Sequence, residues 1–445
     1  MPRQNTPKCL AKLGLLAAFA LLPQVHSEVD SLVRDAAALA DKGQSKAAFD
    51  LLDAKEPGRA GDADFDLVFG IAANQAEQYS RAIFALERVL LVQPDNARAR
   101  AELARALFAV GDTKNARTLL GQAKEQGVPV EVAKTIDQFL QAIDKVDEAG
   151  RSSVKAYVEA GLGYDNNVNG APSNNVVAVP ALGGLLVTLT PAGTKTAASF
   201  LSLGAGVSGR HLIDSRWSLI GNAVVNARGN SDAASAFNTL QTDFQGGASY
   251  RVDRNEYTLV LQAATYDVGG ARARDQAGVV GEWNHRLDGF RQFSTYLQSS
   301  RLSYPGQNAR DAQRNVLGSS YAHLFRNGLM AYGGLYFGSE TEFAAGVPQL
   351  GHRLTGLRAG MQKPFNDSLA VFATIGYEDR KFGGADPLFL VTRQDQQTNL
   401  NIGLSWIPAK AWRVTPLIAL TQTSSNIATN DFNSQAVSVT VRREF

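Results

Sequence analysis

The segment Asn433-Ser-Gln-Ala-Val-Ser-Val-Thr-Val-Arg-Arg-Glu-Phe445 alternates apolar and polar residues along most of its length. The apolar side chains that share one face of an extended strand are Val437, Val439, Val441 and Phe445. A period of two indicates a β-strand with one apolar face and one polar face. Such a strand occurs both at the edge of a soluble β-sandwich and in a membrane β-barrel. The rest of the sequence is needed to distinguish these two folds.

A strand that ends on an aromatic residue in this way resembles the closing strand of bacterial outer-membrane barrels. In those proteins the same strand is the signal that the barrel-assembly machinery reads. The resemblance implies that the apolar row ending at Phe445 is a barrel-assembly signal and that the chain is folded into an outer membrane by that machinery.

The composition argues against a nucleic-acid partner. The 445 residues are 44% hydrophobic and 19% charged, below the roughly 25% charged residues of average soluble proteins. Removal of 1–27, which contains Arg3, Lys8 and Lys12, would leave 41 basic residues against 42 acidic ones. This near-neutral balance lacks the excess of positive charge that nucleic-acid binding requires.

The segment 1–27 is typical of a secretory signal peptide. Basic residues precede an apolar run from Leu13 to Leu22, and Val25-His26-Ser27 offers a cleavage site. The run is shorter than the roughly 20 residues of a membrane-spanning helix, although a short signal anchor is the alternative. Cys9 is the only cysteine, so the processed chain would contain neither disulfide nor thiolate. No later apolar run is long enough for such a helix, so only a closed barrel could span a membrane.

Residues 28–145 predict a helical domain with an internal repeat. Alanine recurs at Ala48, Ala82 and Ala116, and leucine at Leu52, Leu86 and Leu120, at a constant interval of about 34 residues. This spacing resembles the tetratricopeptide repeat, which implies stacked helix pairs with a concave surface for extended peptides or partner proteins. A generic helical bundle is the alternative. A further helix near 129–143 would cap the stack, and the polar segment 146–153 predicts a linker.

From 154 to 445 the helical period is replaced by alternating segments, which predict a 14-stranded antiparallel barrel. Short connections such as Asp253–Asn255, Asp288-Gly289 and Asn327-Gly328 carry hairpin chemistry and alternate strictly with longer ones. An even strand number with tight turns at one rim and loops at the other is typical of outer-membrane barrels. The predicted strands are 154–164, 197–211, 215–229, 236–251, 256–267, 275–287, 290–304, 311–326, 329–341, 350–363, 368–382, 394–407, 411–424 and 434–445. The four tryptophans lie near predicted strand ends, where aromatic girdles at the two membrane interfaces would place them.

The sequence offers no catalytic, cofactor-binding or metal-binding residues. The segment Asp165–Gly170 matches the first half of a calcium loop, but Val176 occupies the twelfth position, where that loop needs glutamate. The five histidines have no partner at metal-ligand spacing. Strand polarity instead predicts a set of lumen-facing charges, namely Arg228, Asp243, Glu282 and Arg286.

The order of signal, short repeat domain and 14-stranded barrel resembles the surface lipoprotein assembly modifier (Slam) family. The run from Gly161 to Asn169, Gly-Leu-Gly-Tyr-Asp-Asn-Asn-Val-Asn, is similar to the start of that family's barrel domain. The resemblance implies an outer-membrane translocator of a Gram-negative bacterium, with its repeat domain in the periplasm. Its implied partners are a client lipoprotein or secreted protein, outer-membrane lipid and a periplasmic chaperone.

Two other classes of protein share parts of this layout. A passive or exopolysaccharide-export porin also combines helical repeats with a barrel, but it usually has longer arrays and a lumen charged to suit its polymer. A structural adhesin that presents its loops is the third hypothesis.

Overall fold

The computed structural model describes residues 30–126, 128, 133, 136, 137, 139, 140, 143, 152–325 and 327–445. The predicted signal peptide at 1–27, much of the predicted capping helix and most of the predicted linker lie outside these residues. The N-terminal helices and the strands that follow form separate compact units, which are described one at a time. Within the described part of the chain, no helix combines the length and the apolar character needed to cross a membrane.

The N-terminal unit is helical. Its elements between 30 and 126 are α1 (Ser31–Asp41), α2 (Ser45–Asp53), the single turn α3 (Glu56–Arg59), α4 (Ala63–Gln75), α5 (Tyr79–Val92), α6 (Ala97–Val110) and α7 (Thr113–Glu125). Asp62, Asn96 and Asp112 cap α4, α6 and α7, since the side chain of each accepts hydrogen bonds from the first turn of its helix.

The residues that define the repeat period form the helical core. The repeated alanines and leucines lie on α2, α5 and α7, and each of them is buried. Between α4 and α5 the approach is close, because a Cβ built on Gly70 would lie only 2.5 Å from Cγ of Leu86. The close packing therefore explains why small residues recur at these helix crossings.

Equivalent turns end the first helix of successive repeats. Gly43, Glu77 and Gly111 occupy these turns, with φ of 77°, 62° and 94°. Left-handed backbone favours glycine, because other residues there bring Cβ close to the backbone. Glu77 thus adopts the glycine conformation at the one turn of the three that has no glycine.

The C-terminal unit is a closed antiparallel barrel of fourteen strands, as predicted. The elements are β1 (Ser153–Asp165), β2 (Val176–Val179), β3 (Leu185–Thr188), β4 (Ala198–Leu212), β5 (Trp217–Asn230), β6 (Thr239–Val252), β7 (Asn255–Val268), β8 (Ala271–Arg286), β9 (Arg291–Ser303), β10 (Ala312–Leu324), β11 (Met330–Glu342), β12 (His352–Asn366), β13 (Leu369–Ala385), β14 (Thr392–Ala409), β15 (Trp412–Ser425) and β16 (Phe432–Glu444). Each barrel strand pairs with its neighbours in the chain, and β1 pairs with both β4 and β16.

The connection between β1 and β4 differs from the sequence prediction, which places no strand between 164 and 197. It contains β2 and β3, which form a separate two-stranded sheet in the register Val176↔Thr188 to Val179↔Leu185. The segments Val-Val-Ala-Val and Leu-Leu-Val-Thr lack alternation between apolar and polar residues, so the pattern that identified the other strands is absent here.

The two faces of the barrel differ in chemistry. The outer face carries exposed apolar side chains, such as Leu162, Leu261 and Val437. The alternate residues turn to the inner face and are mainly polar, charged or glycine. An apolar outer surface on a closed sheet is what a lipid environment requires.

All four tryptophans lie at the rim with the short turns. Trp217 and Trp412 begin β5 and β15, whereas Trp283 and Trp406 lie near the ends of β8 and β14. The four tryptophans thus lie near strand ends, as the sequence pattern predicts, and all of them belong to the rim with the short turns. Trp217 packs against Tyr250 with ring centroids 4.8 Å apart, as amphipathic rings do at a membrane surface.

Candidate functional site

The segment Asp165–Gly170 forms a latch where β1 ends and the first long loop begins. We call residues 165–170 the seam latch, since they lie beside the seam between β1 and β16. One carboxylate oxygen of Asp165 accepts hydrogen bonds from the backbone N–H of Asn167 and the hydroxyl of Ser434, both at 2.8 Å. Its other oxygen accepts from Arg228 at 3.1 Å. The carboxylate therefore joins β1, β16 and β5.

Two asparagines of the seam latch hold the start of β16. Asn166 exchanges backbone and side-chain hydrogen bonds with Gln435, at 3.1 and 2.9 Å. The amide of the buried Asn167 donates to the carbonyls of Ala171 and Asn433, at 2.8 and 2.7 Å, and accepts from the N–H of Ala171 at 3.1 Å. These bonds satisfy backbone groups that the strand ladder leaves open at the rim.

Asn169 closes the base of the first long loop. Its side chain donates to the carbonyls of Ala192 and Thr194, at 3.1 and 2.7 Å, and accepts from the N–H of Thr196 at 3.1 Å. Gly170 follows with φ of 58° and lies against the ring of Phe432. The oxygens that resemble calcium ligands in sequence thus take part in hydrogen bonds within the protein, and the described residues contain no cluster of metal-ligating side chains.

The four charges predicted to face the lumen lie on β5, β6 and β8 and do not form one site. Arg228 lies near the loop rim, where its guanidinium sits 3.9 Å from the ring centroid of Phe200. Asp243 accepts a hydrogen bond from Gln241 at 2.8 Å, and Glu282 accepts one from Asn284 at 3.0 Å. Arg286 lies near the opposite rim, at the end of β8. The strand register shows that Asp243 and Glu282 are apart. Asp243 pairs with Ala264 and Glu282 with Thr258, and these two partners lie at different heights along β7.

A cluster centred on Glu256 lies at the inner face near the short turns. Its carboxylate accepts hydrogen bonds from Arg210, Arg251 and Ser249, at 2.8, 2.9 and 2.5 Å. Arg286 is close enough to interact with the charges of this cluster. Sequence reasoning missed the cluster, since its members come from β4, β6 and β7 and meet only through the register.

A second set of paired side chains lies on β10, β11 and β13. Arg314 pairs with Glu340 at 2.5 Å, and Glu378 accepts from Arg380 at 2.5 Å and from the hydroxyl of Tyr336 at 2.8 Å. Alternation along each strand places such residues on the inner face, but it does not reveal which of them are opposite each other.

One ion pair bridges the seam directly. Glu159 of β1 pairs with Arg442 of β16 at 2.6 Å, and the guanidinium of Arg442 lies 3.9 Å from the ring centroid of Tyr157. Together with the seam latch, this pair ties the first strand of the barrel to its last strand by side chains as well as by backbone hydrogen bonds.

Aromatic rings on the inner face cover glycines of adjacent strands. In each such pair a Cβ on the glycine would come within 2.6 Å of the ring. The pairs are Tyr157 with Gly206, Phe200 with Gly163, Tyr296 with Gly318, Tyr332 with Gly360, Tyr336 with Gly356 and Phe372 with Gly403. Rings that rest on glycine project less into the lumen and shield the backbone beneath them.

The apolar row of β16 faces outward, as its alternation predicts. Its valines Val437, Val439 and Val441 and the terminal Phe445 are all exposed. The guanidinium of Arg443 lies 5.3 Å from the ring centroids of both Trp412 and Phe445. The row therefore belongs to the lipid-facing surface.

Comparison with known proteins places this geometry in a family. Residues 73–134 match the tetratricopeptide repeat. A curated relative, the hemophilin secretion modulator of Acinetobacter baumannii, is 25% identical over 359 residues, which cover 75% of this chain and 68% of that protein.

The solved structures that match part of this chain include several outer-membrane proteins. The toluene transporter TodX of Pseudomonas putida gives a TM-score of 0.32 at 11% identity, covering 65% of this chain and 89% of that one. A FadL homologue of Pseudomonas aeruginosa gives 0.37 at 9% identity, covering 70% and 92%. OmpT of Vibrio cholerae gives 0.37 at 8% identity, covering 66% and 98%.

The barrel region decides the assignment. Residues 155–445, which are more than half of the chain and include nearly every barrel residue, match the family described as surface lipoprotein assembly modifier. The seam latch, the paired inner wall and the closing strand all fall within this match. The chain therefore belongs to the surface lipoprotein assembly modifier family.

Proposed function

We propose that this outer-membrane protein translocates a specific client protein, either a lipid-anchored surface protein or a secreted protein, from the periplasm to the cell surface or medium. The observation that carries the proposal is the family match over 155–445 on a closed barrel. The name of the curated relative, a secretion modulator, supports the same direction. The protein acts as a translocator, not as an enzyme.

The inner wall suits a polypeptide. Its charged groups include Glu256 with Arg210, Arg314 with Glu340, and Glu159 with Arg442, so both signs are present and many charges are already paired. A wall of this kind does not present the single-sign stripe that would favour an acidic or basic polymer. Arg228, Asp243, Glu282 and Arg286 contribute to this wetted wall.

The two ends of the barrel have different roles in the proposal. Short turns in bacterial outer-membrane barrels face the periplasm and long loops face outward. The repeat domain, which precedes β1, recruits the client or a chaperone on the periplasmic side. A 14-stranded lumen is narrower than those of the 16- to 18-stranded porins, so the client passes unfolded or through a lateral opening. The driving force comes from folding of the client outside or from release of the chaperone.

The outward-facing row of β16 that ends at Phe445 serves as the signal for the barrel-assembly machinery. Substitution of the apolar residues of this row is therefore expected to reduce the amount of barrel in the membrane. This effect differs from a transport defect, in which the amount of barrel is unchanged.

Deletion of the gene followed by labelling of intact cells tests the proposal. We expect one protein, or a small set, to disappear from the surface or the medium and to return on complementation. An unchanged surface and secreted proteome, with altered solute uptake or polymer export instead, would refute translocation and favour the porin.

A further inference from the structure

The long loops at one rim of the barrel carry an exposed apolar surface that the proposed transport route does not by itself explain. We call it the leucine patch; it consists of Leu182, Leu185, Leu186, Leu388, Leu390 and Val391. The exposed fraction of these residues ranges from 42% for Val391 to 68% for Leu186. A group of exposed apolar side chains marks an interaction site more often than isolated ones do.

The leucine patch is held together across two loops. The N–H of Ala181, in the loop that contains β2 and β3, donates to the carbonyl of Leu388, in the loop between β13 and β14, at 3.0 Å. Asp386 orders the second loop, since its carboxylate accepts from the N–H groups of Leu388 and Phe389 at 2.8 and 3.0 Å. The leucines are thus presented by a defined backbone.

Leu390 is placed in a way that stability alone does not favour. Its φ is 56°, a left-handed conformation that disfavours bulky residues, and 59% of it is exposed. Glycine or asparagine would relieve the backbone and remove exposed apolar surface. The presence of leucine is therefore consistent with a contact that the side chain makes to a partner.

The chemistry of the patch restricts its partner. The segment 171–194 contains no Asp, Glu, Lys, Arg or His, so this loop offers no charged contacts to lipopolysaccharide phosphates or to a charged protein surface. In the second loop, the carboxylate of Asp386 already accepts hydrogen bonds from the backbone of that loop. β2 and β3 form a two-stranded sheet, so each strand has one edge that takes no part in the ladder of that sheet and could pair with a further strand. An extended polypeptide that exposes apolar side chains can use both the strand edge and the leucines.

We propose that the leucine patch receives extended, apolar segments of an unfolded polypeptide as they leave the barrel. The inference rests on the proposed function for the identity of that polypeptide, which is the client. It adds that the protein shields the client at the outer rim before the client folds.

The experiment uses the full chain in nanodiscs and a permanently unfolded probe, fluorescently labelled, reduced and carboxymethylated α-lactalbumin. The test variant carries Leu182→Gln and Leu186→Gln, at positions that are 57 and 68% exposed. The matched control carries Ile213→Gln and Phe343→Gln, which are 59 and 52% exposed and lie outside the patch. Because all four side chains are exposed, we expect both variants to fold, as checked by the heat-dependent mobility of the barrel.

We expect saturable binding of the probe to the natural protein and to the control, and at least tenfold weaker binding to the test variant. Equal affinity of the two variants, or no binding to the natural protein, would overturn the inference. If the leucine substitutions abolish self-association without changing probe binding, the patch serves a second copy of the chain and the inference is also wrong. Since the assay measures binding of the probe alone, it is independent of the gene-deletion experiment that tests transport.

Discussion

The substitution Asn167→Ala tests whether the seam latch holds the barrel closed. Asn167 is buried and makes three hydrogen bonds to backbone groups of Ala171 and Asn433, at 2.7 to 3.1 Å. A hydrogen bond contributes about 0.5–1.5 kcal/mol, so loss of three would cost about 1.5–4.5 kcal/mol, concentrated at the loop end of the seam. Because about 1.4 kcal/mol corresponds to a tenfold change in an equilibrium constant, local opening should increase at least tenfold.

Amide hydrogen exchange in nanodiscs, followed by mass spectrometry, measures this opening. We expect faster exchange in peptides that cover 166–171 and 432–437, with little change in strands on the far side of the barrel. Asn174→Ala is the matched control, since Asn174 lies in the same loop and is exposed. The seam latch does not stabilise closure if Asn167→Ala changes the exchange rate at the seam less than threefold. The same conclusion follows if the two variants change that rate equally.

The helical unit allows three further predictions. Glu77→Gly should stabilise it by about 0.5–1 kcal/mol, because relief of left-handed strain at φ 62° exceeds the entropic penalty of glycine. Gly70→Ala should destabilise it by about 1–3 kcal/mol, since the new methyl group would overlap Leu86. Arg88→Met should cost about 3–5 kcal/mol, because it removes the cation 2.6 Å from the fully buried carboxylate of Asp66.

Hydrogen exchange of the helical peptides in the full chain measures all three changes. Gly111→Ala is the control for the glycine argument, and it should destabilise the helices because Gly111 has a φ of 94°. Lys46→Ala is the control for the ion pair, since Lys46 and Asp50 form an exposed pair that should contribute less than about 1 kcal/mol. If Glu77→Gly destabilises the helices, or if Arg88→Met has no more effect than Lys46→Ala, the corresponding reasoning is wrong.

The strands could be located from sequence because the barrel separates two solvents. Lipid on one side and water on the other enforce alternation along each strand, so segments such as Leu369–Ala385 and Thr392–Ala409 lie within a few residues of the predicted bounds. The sheet of β2 and β3 could not be predicted in this way. Its strands are not part of the barrel wall, so lipid and water do not impose alternation on their residues. The helical period was visible because tight crossings select alanine and glycine, as at Ala82 and Gly70.

The partners of the inner-face charges could not be predicted in this way. The alternation within one strand is enough to predict which face a side chain occupies. A pair such as Glu159 with Arg442 depends in addition on how two strands align, and these two residues are 283 positions apart in the chain. The cluster around Glu256 requires three strands in one register. A shift of a single residue between neighbouring strands would place these groups on opposite faces, so strand polarity alone cannot identify them.

The seam latch shows how one sequence pattern can serve two kinds of chemistry. Asp and Asn at alternating positions before glycine supply oxygens close to the backbone, which suit either a hard cation or the N–H groups of a turn. In this chain a barrel has to join its first and last strands where the ladder ends, and at that point the open groups are backbone N–H and C=O. Asn167 and Asn169 can serve both kinds of group, because an amide both donates and accepts, whereas a carboxylate only accepts. This requirement explains why asparagine is suited to these two positions, while Asp165 is suited to the one that accepts hydrogen bonds from Arg228, Ser434 and a backbone N–H.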